Sequence, residues 1–156
     1  MNIGPKIARV ALLALVFIGA CKPSEEEQAA SRTAAIEVVE SFGTRLVHVN
    51  LQADSVGPIT DAIRQNYGPY VTTLLLGGWL SDPGSAPGRE TSNPWPSGIE
   101  VRDAQPVGRN GYDVTGDIVY VTRVDGEPVL RTPIRARVLR GPDDVWRIAE
   151  WEFAPD

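Results

Sequence analysis

Few side chains in this sequence are of a type and spacing that could do chemistry. There is one cysteine, Cys21, and one histidine, His48, so neither an intrachain disulfide nor a zinc site of several thiolates and imidazoles can form. No cofactor and no metal are therefore expected. His48 has the side chain best suited to act as a base near neutral pH, but it falls at the end of a helical stretch, where a histidine usually caps the helix dipole or faces water. Glu100, Asp113 and Asp117 fall on the polar side of alternating segments, where carboxylates are ordinarily solvated. Arg135 and Arg137 could face Glu150 and Glu152 on a neighbouring strand, giving either cross-strand ion pairs or an anion site, and ion pairs are the simpler expectation. Trp79, Trp95, Tyr67, Tyr70, Tyr112 and Tyr120 could line a pocket for an apolar or ring-bearing ligand, or could simply pack as core. Trp79, Trp95, Tyr70 and Tyr120 are the candidate binding residues. No hydrolase triad, phosphate-binding loop or dinucleotide fingerprint occurs.

The elements that carry these residues begin with an N-terminal segment of a different kind. Residues 1–9 hold Lys6 and Arg9, and residues 10–20 read VALLALVFIGA without a charge. This run of eleven residues is too short for a permanent membrane helix, which needs roughly 20, and has the three-part form of an export signal. Ile18-Gly19-Ala20-Cys21 resembles the lipobox of bacterial lipoproteins. The resemblance implies cleavage after Ala20 and a diacylglycerol thioether on Cys21. Lipid anchoring at a membrane outside the cytoplasm follows, since each buried methylene contributes about 0.8 kcal/mol and two or three chains hold a protein firmly. Lys22 after the cysteine, where an aspartate would favour the inner membrane, points to the periplasmic face of the outer membrane in a Gram-negative cell. In a Gram-positive cell the site is the outer face of the cytoplasmic membrane.

With the signal removed, 13 basic side chains face 20 acidic ones, a net charge of about −7. That balance opposes binding to nucleic acid. Residues 21–30 read as the lipidated cysteine and a polar tether, in which Ser24 and Glu27 could form a capping box, and residues 31–156 as a single domain.

Within the domain, Ala35, Val38, Val39, Phe42, Leu46 and Val49 repeat at spacings of three and four, which predicts a helix over about 31–51. Ile59, Ala62, Ile63 and Tyr67 predict a second helix. Leu75, Leu76, Trp79 and Leu80 predict a third near 72–81, despite the cost of Gly77 and Gly78. Residues 82–98 contain four prolines and read as a long loop presenting Trp95 between Pro94 and Pro96, either as a cover for the fold or as a surface anchor. Function is expected to depend on this loop more than on His48.

From residue 99 the period becomes two. Strands are predicted at 99–107, 112–124, 129–139 and 145–153, with Tyr112, Val114, Ile118, Tyr120 and Val124 sharing one face of the second and Leu130, Ile134, Ala136 and Val138 one face of the third. In the last strand either alternate set could face inward; Trp151 and Phe153 are preferred, and strong curvature is expected.

Helices followed by a four-stranded antiparallel meander resemble the nuclear transport factor 2-like or cystatin-like α+β roll over about residues 31–154. The stretch TLLLGGWLSDPGSAPGRETSNPWPSGIEV resembles a segment of uncharacterised bacterial envelope proteins. Some members of the roll are isomerases or cyclases with an Asp or His base in the cone between helix and sheet, but no residue here matches that pattern. Two functions stay open: a non-catalytic, lipid-anchored module binding a partner protein or small ligand, and a small enzyme of isomerase or cyclase type. A filled cone favours partner binding, and a buried acid or base with tyrosines favours the enzyme.

Overall fold

Polar residues start the first helix. Ser24 accepts a hydrogen bond from the Glu27 backbone at 3.1 Å, and its own N–H donates to the Glu27 carboxylate at 2.8 Å. This capping box, with Glu25, Glu26 and Glu27 at the positive end of the dipole, begins helix α1 (Glu25–Gly43). A computed structural model describes Met1 and residues 24–155. The expected export signal and Cys21 lie outside the described residues. Because α1 starts at Glu25, residues 25–30 are helical where a tether was expected; fully exposed turns carry no apolar periodicity to reveal them. The helix also ends earlier than expected. Gly43 closes it, and Leu46–His48 form a separate 3-10 turn that still buries Leu46.

Helix α2 (Val56–Tyr67) buries Ile59, Ile63 and Tyr67, four residues apart each time. Helix α3 (Thr73–Ser81) is capped by the Thr72 side chain. Strands β1 (Trp95–Val107), β2 (Gly111–Val121), β3 (Leu130–Arg140) and β4 (Trp146–Phe153) form one antiparallel meander in the order β1-β2-β3-β4. Among the described residues the fold is thus α+β, with three α-helices and a four-stranded antiparallel sheet. The sheet is not strongly curled.

Trp95 is not on a loop. It opens β1 opposite Val121, and a proline beside it is tolerated because β1 is an edge strand. Segment 82–94 is tied down as well. Ala86 and Pro87 are buried, Arg89 bridges Asn50, and the Tyr67 hydroxyl donates to the Pro87 carbonyl at 2.6 Å. Val124 lies in the β2–β3 turn at 80% exposure, and Leu130 is exposed at the start of β3. Both were expected inside; the inner alternation stops before the hairpin tip.

The fourth strand resolves its own ambiguity with a bulge. Arg137 pairs with Glu150 but Val138 with Ile148, so Ala149 is an extra residue that reverses the facing of the chain. Ile148 before the bulge is therefore buried under the helices, and Trp151 after it packs on Phe42. Phe153 shares that side but is exposed, touching Trp151 edge-on.

Phe42, Leu46 and Ile134 are buried in one cluster, with half-buried Tyr120 packed on it. At its centre the Phe42 ring lies 4.8 Å from Tyr67, 6.0 Å from Trp79 and 5.3 Å from Trp151. Burial raises the Tyr67 phenol pKa and keeps it neutral.

Both sheet edges are blunted. The backbone of Ile148 exchanges hydrogen bonds with Tyr70 and Thr72, which brings the start of α3 against β4. Edge strand β1 carries two bulges, Pro96 and Pro106, and charged residues that discourage pairing with another chain.

Candidate binding groove

Docking of residues 70–72 on Ile148 sets α3 beside the second half of β4 and leaves an open groove of about 430 Å³ between them. Leu74, Leu75, Gly78, Trp79, Ala149 and Trp151 supply its apolar lining, with Ser85 and Glu150 at the polar margin. Leu74 is 86% exposed. Trp79 is buried, with one side on Phe42 and Tyr67 and its margin in the groove. The Trp151 indole N–H is buried without a hydrogen-bond acceptor among the described residues.

Gly77 and Gly78 add a second anomaly. Each costs about 1 kcal/mol against alanine inside a helix. Yet a Cβ at either position would meet no atom within 4 Å, so packing within the domain does not require them.

The four aromatic candidates do not converge. Trp79 reaches the groove. Tyr70 lies beside the β4 edge, where its hydroxyl accepts from Arg45 Nε at 3.3 Å and its ring lies 5.9 Å from that guanidinium. Tyr120 is half-buried near the opposite end of β2, hydrogen-bonded to Thr132, with its phenol pushed up by burial. Trp95 pairs with Val121 on the face away from the helices, so it neither covers the interior nor shares a site with Trp79. The groove residues that sequence reasoning missed are Leu74, Gly78 and Ala149. The only signal for Leu74 and Gly78 was a run of three leucines followed by two glycines, more apolar than one buried helical face needs, and nothing marked Ala149.

His48 is exposed in its 3-10 turn. The carboxylates lie on the outer face of the sheet and are matched by arginines. Arg137 forks onto Asp113 at 2.9 and 3.2 Å and reaches Glu150 at 3.3 Å, while Arg131 meets Glu100 at 2.6 Å. The expected register of Arg135 and Arg137 against Glu152 and Glu150 is present, and Asp113 on β2 is the additional partner. Hydrogen bonds from Arg137 and Arg131 hold the Asp113 and Glu100 carboxyls below their ordinary pKa values, fixing them as anions rather than proton acceptors. Asp117, expected to be solvated, is instead mostly buried beside Arg102 at 3.4 Å. Five charged side chains, Asp113, Arg135, Arg137, Glu150 and Glu152, surround a small outer-face depression of about 40 Å³, whose negative charges offset the arginines that an anion would need.

No helix among the described residues is long and apolar enough to cross a membrane. Comparison with protein-family models, curated proteins and solved structures gives no match for the chain.

Proposed function

We propose that this protein is a non-catalytic binding module, held by lipid on Cys21 at a membrane outside the cytoplasm, whose α3–β4 groove receives an apolar side chain of a partner protein in the cell envelope. The observation that carries the binding reading is the filled interior. Where an enzyme of the nuclear transport factor 2-like roll would keep its acid–base residue, the rings of Phe42, Tyr67, Trp79 and Trp151 form one connected cluster. Kinship with that roll is itself part of the proposal and rests on element order, helices first and then the meander. The anchor rests on Ile18-Gly19-Ala20-Cys21 behind a charged and apolar leader.

A partner at the groove would account for the glycine at 78, which lines it and lets another backbone approach α3 more closely than alanine would. In the isolated protein, Gly77→Ala and Gly78→Ala should therefore each raise stability by about 0.5–1 kcal/mol, read as a higher melting temperature. Gly78→Ala, at the groove, should weaken function in cells. Lower stability for both variants would remove the argument from the glycines.

Complementation tests the site itself. Leu74→Glu leaves the core untouched, because Leu74 is exposed, and should abolish function with an unchanged melting curve. His48→Gln should retain function. Loss with His48→Gln and retention with Leu74→Glu would establish the enzyme instead.

A further inference from the structure

We infer that the hairpin end of the sheet, formed by the turns at 108–110 and 141–145 with exposed Leu139 and Val145, lies against the headgroups of the bilayer that holds Cys21; this rests on lipid attachment at that cysteine. The inference starts from the reach of the chain. Ser24 already belongs to the fold as the α1 cap, so only Lys22 and Pro23 separate Cys21 from it, and the three Cα–Cα steps between them span at most about 11 Å.

The first turns of α1 are fixed to one end of the sheet. Tyr112, the second residue of β2, donates its hydroxyl to the Gln28 carbonyl at 3.0 Å, and Arg32 Nε donates to the Ala104 carbonyl at 3.1 Å. Four residues of helix carry the chain from Gln28 to Ser24, a rise of about 6 Å. Both hairpin turns lie at this end, joined by the Arg140 N–H to the Asn110 carbonyl at 2.9 Å, and Trp146 packs 5.7 Å from Tyr112. An anchor so close cannot hold these turns far from the surface in which its lipid is seated.

The chemistry of this end suits a zwitterionic lipid surface. Leu139 is 40% exposed and Val145 is 42% exposed. Arg140 pairs with Asp144 at 2.6 Å, Arg147 with Asp143 at 2.8 Å and Arg32 with Asp103 at 3.4 Å, so these charges are balanced in pairs, and exposed Arg109 of the 108–110 turn adds a single positive charge. The glutamates of the α1 tip disfavour an anionic surface. The opposite tip also exposes apolar side chains, Val124 and Val129. It lies one strand length away, about 35 Å for the eleven residues of β2, beyond the reach of the anchor.

The test uses the full-length lipidated protein in phosphatidylcholine vesicles, with and without phosphatidylglycerol. Since Cys21 carries lipid, Val145→Cys, Val124→Cys and Leu74→Cys each offer a single thiol for a fluorophore, and headgroup-nitroxide lipids serve as quencher. Quenching at 145 should exceed that at 124 and 74 severalfold and should persist in pure phosphatidylcholine and at raised salt. Equal quenching at the three positions, or stronger quenching at 124, with Cys21 shown by mass to be acylated, would overturn the orientation and leave the anchor standing. A second labelled thiol at Cys21, with protein released from the vesicles, would overturn the anchor and the orientation together.

Discussion

Phe42→Ala is expected to cost about 3–5 kcal/mol, as removal of a fully buried aromatic ring does. The ring is the shared contact of three elements: it touches Tyr67 of α2, Trp79 of α3 and Trp151 of β4 while sitting on α1. Those neighbours cannot all collapse into the space, because Tyr67 is held by its bond to Pro87 and Trp151 by the β3–β4 ladder. Against a total stability of roughly 5–15 kcal/mol this is a large fraction, and urea denaturation should show a much lower midpoint. Phe153→Ala is the control. That ring is exposed and touches only the edge of Trp151, so its loss should cost far less. An unchanged midpoint for Phe42→Ala would refute this description of the core.

Gly43→Ala should also destabilise, near the upper end of the roughly 1–3 kcal/mol typical of overpacking. A Cβ there would sit 2.5 Å from the backbone nitrogen of Ile99 and 2.9 Å from that residue's Cβ and Cγ1. Two of these atoms are fixed by the strand and cannot rotate away, so the end of α1 must lift from β1 and take Phe42 with it. Alanine's better helix propensity, about 1 kcal/mol, acts in the opposite direction and does not offset a clash with backbone. The same substitution thus has opposite signs in one protein: destabilising at Gly43, where the helix meets the sheet, and stabilising at Gly77 and Gly78, where the space is open. Thermal melts of the three variants check the contrast. Equal or greater stability for Gly43→Ala would show that α1 does not lie so close to β1.

Much of this architecture is legible in the residues because the period of the apolar pattern changes from three-and-four to two. The buried residues Ile59, Ile63 and Tyr67 of α2, Tyr112, Val114 and Ile118 of β2 and Ile134, Ala136 and Val138 of β3 follow from those periods, whereas counting back from the Gly141–Val145 turn would set Arg137 against Ala149, and only the bulge brings Glu150 opposite it. Three features are not legible, each for a physical reason. The bulge at Ala149 shifts the alternation by one residue, and nothing in the composition of that strand marks where it does so. The strand start at Trp95 is hidden by two prolines, which an edge strand accommodates and a central strand would not. The groove depends on a parallel bridge between Val71 and Ile148, a long-range pairing with no local signature, so Trp79 could be recognised as important without its neighbours Leu74 and Ala149.

Site of action and orientation toward the bilayer both depend on the anchor, so the most direct measurement is the intact mass of the mature chain recovered from membranes of cells expressing the full sequence. The expected result is a polypeptide beginning at Cys21, heavier than its residues by a diacylglycerol thioether, with Cys21→Ser found unmodified and released from the membrane fraction. A mature protein that begins at another residue, carries a free thiol at Cys21, or fractionates identically after Cys21→Ser would contradict it.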